Sequence, residues 1–240
     1  MAFSDPYELN YSKVRAFRNC PVLYEHIYVS RKRMPLTGPA SLGISLHRSL
    51  EAFCDGSGDG TMDDLLECYG ANWLGAGYNG AQEQMEYFQR GREMLARFWR
   101  TEKERKSSTQ YVERDFEFEY KKWKIRGTID RVDVYPDDTW EVIDYKTGQE
   151  TFGVDELGKS LQLGIYGIGA ARAWNIKPAL LSVWFLSSGG KISVPYDQGR
   201  DGEILAVFEE AGEQILRGVY SPNREYCAQC PMKEICRYAM

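Results

Sequence analysis

The chain has 240 residues, of which 43% are hydrophobic and 27% charged, and a formal net charge of −5. That length is enough for one large domain or two small ones with a proper core, and the negative balance excludes a protein that coats nucleic acid over its whole surface, although it leaves room for a local basic track. No apolar run approaches the roughly 20 residues that span a bilayer. The first ten residues also lack the basic-then-apolar pattern of a secretory leader, so a cytoplasmic protein with no membrane partner is expected.

Residues 9 to about 30 read as helical, with Ser12 as the N-cap and a break at Cys20-Pro21, where proline suits the first turn of a second helix. After a loop containing Pro and Gly, residues 42–54 form a helix with Leu42, Leu46, Leu50 and Phe53 on one stripe and His47 beside it. Thr61 and Asp64 cap a short helix through Cys68, and residues 82–105 form a long amphipathic helix. The period then changes to two. Over residues 111–120, Phe116, Phe118 and Tyr120 share one strand face, and Glu113, Asp115, Glu117 and Glu119 share the other. A turn at Lys121-Lys122 leads to a strand over 123–135, and Pro136-Asp137-Asp138-Thr139 turns it into a third strand over 140–147, completing an antiparallel meander. A helix over 154–174, strands over 180–186 and 191–196, a helix over 202–218 and a tail from 220 follow. The order predicts a mixed α/β layered domain with helical additions. Basic runs at Arg31-Lys32-Arg33, 103–106 and 121–126 are candidates for a basic track or simply solvated faces.

The stretch 127–148, GTIDRVDVYPDDTWEVIDYKTG, concentrates ionisable residues on two strands. Asp144 and Lys146, two apart, project to one face, while Ile143 and Tyr145 point the other way into a core. Burying a carboxylate and an ammonium needs partners. Two arrangements supply them: a structural ion pair across the hairpin, or a hard-cation site in which Asp130 and Asp144 bind metal and Lys146 faces a phosphate or an attacking water. Asp133 faces opposite Asp130, Glu141 faces away from Asp144, and Asp137 and Asp138 are turn residues. Gln162 and Tyr166, four apart, share a face of the following helix. By themselves a Gln and a Tyr at this spacing are more often surface or core-edge residues than functional ones, and a lone His47 is more often a satisfied helix histidine than a ligand.

Six cysteines occur, at 20, 54, 68, 227, 230 and 236. Their context argues against a disulfide framework. Cys54 and Cys68 fit buried helical positions, whereas Cys227-x2-Cys230-x5-Cys236 is a cluster with ligand-like spacing.

Taken together, Gly43-x3-His47, Gly127-x2-Asp130-x2-Asp133, Asp144-Tyr145-Lys146-Thr147-Gly148 and Gln162-x3-Tyr166, in that order, resemble the PD-(D/E)xK nuclease superfamily and, within it, the RecB-like exonucleases that include CRISPR-associated nucleases. The resemblance implies a single domain with a restriction-endonuclease-like α/β core, a mixed central sheet flanked by helices. Residues 1–106 would be a mainly helical N-terminal insertion, 107–218 the nuclease core and 219–240 a cysteine-rich tail. It implies that His47, Asp130, Asp144 and the main-chain carbonyl of Tyr145 ligate Mg²⁺ or Mn²⁺. Lys146 would act on the nucleophilic water or the phosphate, and Gln162 and Tyr166 would position the strand or the active-site groups. A histidine ligand suits Mn²⁺ better than Mg²⁺. The resemblance also joins Cys20 to Cys227, Cys230 and Cys236 in an AddB-type four-cysteine staple around a 4Fe–4S cluster, although the ligand set alone is equally open to zinc. The implied activity is exonucleolytic cleavage of single-stranded DNA or DNA ends, with CRISPR adaptation proteins or a separate helicase as partners. The rival is a non-cleaving DNA-end-binding adaptor subunit.

Overall fold

The computed structural model describes residues 6–34, 36–55, 60–149 and 153–239. The chain forms two compact units, one made of residues 1–35, 117–127 and 198–240, the other of residues 36–116 and 128–197. The units cut across the expected segments, so that Cys20 and His47, both in the first 106 residues, belong to different units.

The first residues depart from the helix expected from residue 9. Glu8–Leu9 form a short strand, β1, and α1 (Tyr11–Asn19) is capped by Asn10 rather than Ser12, with Asn10 Oδ1 accepting from Lys13 N at 2.8 Å. An asparagine caps as well as a serine when its backbone is extended, and Asn10 is the residue at which the chain leaves the strand. Cys20, also extended, ends α1, and Pro21 opens α2 (Pro21–Tyr24), which runs into a π-helical turn, Glu25–Val29. Helix α3 (Gly38–Asp55) begins four residues earlier than its apolar stripe, and α4 (Met62–Ala71) starts at the predicted Thr61/Asp64 capping box. After α5 (Ala81–Glu102) come β2 (Ser108–Tyr120), β3 (Trp123–Val134) and β4 (Trp140–Lys146). The single helix expected over 154–174 is instead two, α6 (Val154–Gly158) and α7 (Leu161–Trp174). Ser160 interrupts them because its hydroxyl accepts from Leu163 N at 3.3 Å and caps a fresh helix. β5 (Pro178–Phe185), β6 (Gly190–Pro195) and α8 (Asp201–Leu216) complete the elements.

In the larger unit the sheet is mixed. β3 and β4 are antiparallel (Val132↔Val142), β4 and β5 parallel (Asp144↔Val183), and β5 and β6 antiparallel (Val183↔Ile192). The parallel pair requires a crossover, which α6 and α7 provide. Helices cover both faces. Ile143, Tyr145 and Trp184 pack with Leu42, Leu46 and Leu50 of α3, Tyr69 of α4 and Phe98 of α5. Asp144 turns to the other face, toward α7. In the smaller unit, β1 pairs in parallel with the start of β3 (Glu8↔Lys124) and α1 packs on α8. The basic run 121–126 is no open track, since Lys121 pairs with Glu209, Lys122 with Glu213, and Arg126 with Glu8 and Glu117.

Two of the hairpin's acids are structural. Asp133, opposite in direction to Asp130, receives a two-pronged bond from the fully buried Arg131 (Nε–Oδ1 2.6 Å, Nη2–Oδ2 2.7 Å), and Arg131 also reaches Glu102 of α5 at 2.9 Å. Glu141, also fully buried, is held by Lys191 at 2.9 Å, by Tyr135 and by Ser182. Arg131→Met leaves the buried Asp133 without its guanidinium and Glu102 with Arg105 alone, and it is expected to lower stability by about 3–5 kcal/mol in urea unfolding. A loss under 1 kcal/mol would show that water replaces the guanidinium.

Candidate active site

Asp130, on β3, is buried, and its Oδ2 accepts from the main-chain N–H of Tyr145 on β4 at 2.7 Å. His47 comes from α3, where Ser41, Ser45 and Ser49 form a buried small-residue stripe, with Ser45 and Ser49 hydroxyls bonding back to the carbonyl four residues earlier. His47 Nδ1 lies 3.6 Å from Asp130 Oδ2 and 3.5 Å from Glu113 Oε1 of β2. Among the described residues, His47, Glu113 and Asp130 are the one group of three donors whose ligand atoms all lie within 4.8 Å of one another. One imidazole and two carboxylates form a donor set for a divalent cation such as Mn²⁺ or Mg²⁺.

Glu113 corrects the strand reading. Its partners at the strand's far end, Phe116 and Phe118, are buried, which on strict alternation sends Glu113 outward with Asp115 and Glu117. The alternation does not run through. Three successive residues, 111–113, are half-buried, inward positions are even from residue 116, and Glu113 has φ of 41°. This irregularity, of the bulge type, re-aims one side chain, and a positive φ at a glutamate is a local strain of the kind found at functional sites. In the sequence Glu113 is one of four alternating acids, and nothing local marks it out.

The second group sits on β4 and α7. Asp144 Oδ2 is 2.7 Å from Lys146 Nζ, and Asp144 Oδ1 accepts from Gln162 Nε2 at 2.9 Å. Gln162 Oε1 accepts from Lys146 Nζ at 3.0 Å, and Gln162 Nε2 also donates to Tyr166 Oη at 3.0 Å. Gln162 thus ties the carboxylate, the ammonium and the phenol together. Asp144, expected as a ligand beside Asp130, stands outside the three-donor group and is held by Lys146 and Gln162. Tyr145 joins the site through its main chain, while its ring lies in the core against Phe98 and Trp184.

A model of the PD-(D/E)XK nuclease superfamily matches residues 8–237. The chain belongs to that superfamily. No curated protein matches it in sequence. Among solved structures, a presumptive exonuclease from Eubacterium rectale aligns with a TM-score of 0.61 and 14% identity over 98% of this chain and 91% of its own, a likeness of fold. The protein SSO0001 aligns over 100% of this chain and 90% of its own at 14% identity, with a TM-score of 0.46. Among the described residues no helix is long and apolar enough to cross a membrane.

PD-(D/E)XK nucleases use divalent metals, and the charges here are arranged for one. Burial, reinforced by the charge of Asp144, raises the Asp130 pKa to about 7. Burial raises that of Asp144 too, against the pull of Lys146. Burial disfavours the charged ring of His47, but the hydrogen bond to Glu113 and the charges of Asp130, Glu113 and Asp144 outweigh it and raise its pKa to about 9. Burial likewise raises the Tyr166 phenol, which stays a proton donor at neutral pH.

The smaller unit holds a separate candidate site. Cys20, Cys227, Cys230 and Cys236 are all free thiols and line one cavity, and Asn223 N donates to Cys20 Sγ at 3.3 Å. Four thiols converging on one cavity could hold either a zinc ion or an iron–sulfur cluster.

Asp130 and His47 both hold protons more tightly in the fold than in the unfolded chain, so without metal their contribution to stability is present at low pH and is lost as pH rises through about 7 and then about 9. A divalent cation binds the deprotonated site, so its stabilisation grows over the same range. The melting temperature of the metal-free protein is expected to fall from pH 6 to pH 9 while the increase produced by Mn²⁺ becomes larger. Scanning calorimetry with and without Mn²⁺ checks both slopes, and His47→Ala should flatten the upper part of each.

Proposed function

We propose that the protein is a metal-dependent DNA exonuclease acting on single strands or strand ends, with Mn²⁺ or Mg²⁺ at the His47 site and a 4Fe–4S cluster on Cys20, Cys227, Cys230 and Cys236. The observation that carries the reading is the joining of two groups through one hairpin: the donor group His47–Glu113–Asp130 and the Lys146–Asp144–Gln162 group, linked by the Asp130–Tyr145 hydrogen bond. A bound divalent cation supplies Lewis acidity toward the phosphoryl oxygen and a hydroxide at neutral pH.

His47, Glu113 and Asp130 would hold the cation, and Asp144 and the Tyr145 carbonyl, on the adjoining strand, would complete its shell. Lys146 sits with its ammonium at the edge of this site, half-exposed, where developing negative charge on a phosphate meets it. Gln162 fixes the Lys146 and Asp144 side chains relative to each other, and the Tyr166 hydroxyl fixes Gln162. The four-cysteine centre would tie segments about 200 residues apart, which restricts the unfolded chain strongly, so its role is structural. The chemistry suits DNA processing such as CRISPR spacer acquisition, recombination or repair, with CRISPR adaptation proteins or a separate helicase supplying the ends.

Lys146→Ala is expected to lower Mn²⁺-dependent cleavage of single-stranded DNA by about 10²–10³-fold, and Asp130→Ala and Glu113→Ala to lower it further by weakening metal binding. End-labelled strands, one set labelled at each end, measure both rate and polarity. A wild-type protein that binds DNA ends and leaves them intact with either metal would instead be an adaptor.

A further inference from the structure

His26 lies in the smaller unit on the π-helical turn, where Ser30 N bonds to Glu25 O at 2.7 Å and Lys32 N to His26 O at 2.8 Å. Such π-helical turns are rare and are found frequently at functional sites. The residue is 7% exposed, and neither ring nitrogen has a hydrogen-bond partner within the protein. The ring lines the same cavity as Cys20, Cys227, Cys230 and Cys236, together with the apolar Val22 and Leu23. Buried polar groups are nearly always paired, and an imidazole left with both nitrogens unpaired is costly unless the cavity's contents supply a partner.

We propose that the ring N–H of His26 donates a hydrogen bond to a sulfur of the four-cysteine centre, making His26 a positioning residue for that centre and not one of its ligands; this rests on the iron–sulfur reading above. Sulfur bound to iron carries negative charge and accepts N–H groups, as Cys20 Sγ already does from Asn223 N at 3.3 Å. Four thiols complete the ligand set by themselves, so the imidazole is left for the outer shell. Burial, and after it the charge of Lys32, lowers the His26 pKa, and Arg237 acts in the same direction against Glu25. Whether neutral or charged, the imidazole keeps at least one N–H to give. Hydrogen bonds to cluster sulfurs raise the reduction potential and slow cluster loss.

The test compares the full-length wild type with His26→Leu and His26→Gln after anaerobic reconstitution with iron and sulfide. His26→Leu is expected to bind the same iron and sulfide per chain, to show a lower midpoint potential, and to lose its cluster to a chelator about 10-fold faster. His26→Gln, which keeps an N–H, stays close to wild type. Before reconstitution, His26→Leu should melt no lower than wild type, because leucine removes an unpaired polar group; a purely structural histidine would give the opposite. Equal potentials and loss rates for wild type and His26→Leu overturn the inference, as does nitrogen hyperfine coupling in the wild-type cluster that His26→Leu abolishes, which would make His26 a ligand. A wild type that takes up no iron or sulfide sinks the cluster reading first and this inference with it, and the wild type alone reveals that result.

Discussion

The larger unit depends on two opposite charges placed back to back on β3. Asp130 and Arg131 are neighbours on an extended strand, so their side chains leave by opposite faces. Behind the sheet, Arg131 is fully buried and neutralised by Asp133 and Glu102. In front, among the described residues, Asp130 is buried with one main-chain donor, Tyr145 N, and with the His47 ring and the Glu113 carboxylate beside it. The rear network resists any slide of β3 against α5, because even a small shift would part a buried guanidinium from two carboxylates. A rigid back therefore fixes a frustrated front. That asymmetry lets Asp130 keep a pKa of about 7 without relaxing away from its neighbours.

The second constraint is where α7 begins. Had the helix run unbroken from residue 154, Gln162 would sit in its middle with its direction set by eight preceding residues. Ser160 restarts the helix instead, so Gln162 lies in the first turn, one residue after Leu161. From there its amide reaches Asp144, Lys146 and Tyr166 together. Further along the same helix, Gly169 lies against Phe116 of β2, where an added Cβ would come within 2.5 Å of the ring. Close contact at that point seats α7 on the strand that carries Glu113. A cap and a glycine thus place the amide and the second carboxylate on a common frame.

Much of this was legible in the residues. Alternation put Asp144 and Lys146 on one strand face and Ile143 and Tyr145 on the other, and a spacing of four put Gln162 beside Tyr166, which it touches at 3.0 Å. Periodicities survive wherever the element is regular. What escaped lies where the element is irregular or where the partner is distant. Glu113 hides behind a break in β2's alternation, the α7 cap looks like any serine in a helical run, and Asn10 lost to Ser12 because β1 exists only through its pairing with β3. His26 had no local signature at all, since its meaning comes from cysteines about 200 residues away in the sequence.

The charges of the site explain why its protons are so firmly held. Glu113, Asp130 and Asp144 bring three carboxylates, Lys146 brings one ammonium, and His47 in its ligating form brings none. Fully deprotonated, the cluster carries two negative charges in a largely buried setting, which desolvation makes unfavourable. Protons on Asp130 and His47 relieve that excess, and they are the two groups whose pKa values are raised to about 7 and about 9. A single divalent cation relieves it equally well, by the same two charges. Two protons or one dication would thus be alternative ways of offsetting the same two charges. A structural ion pair between Asp144 and Lys146 would need none of this, because two opposite charges close on themselves and leave no demand at Asp130, Glu113 or His47.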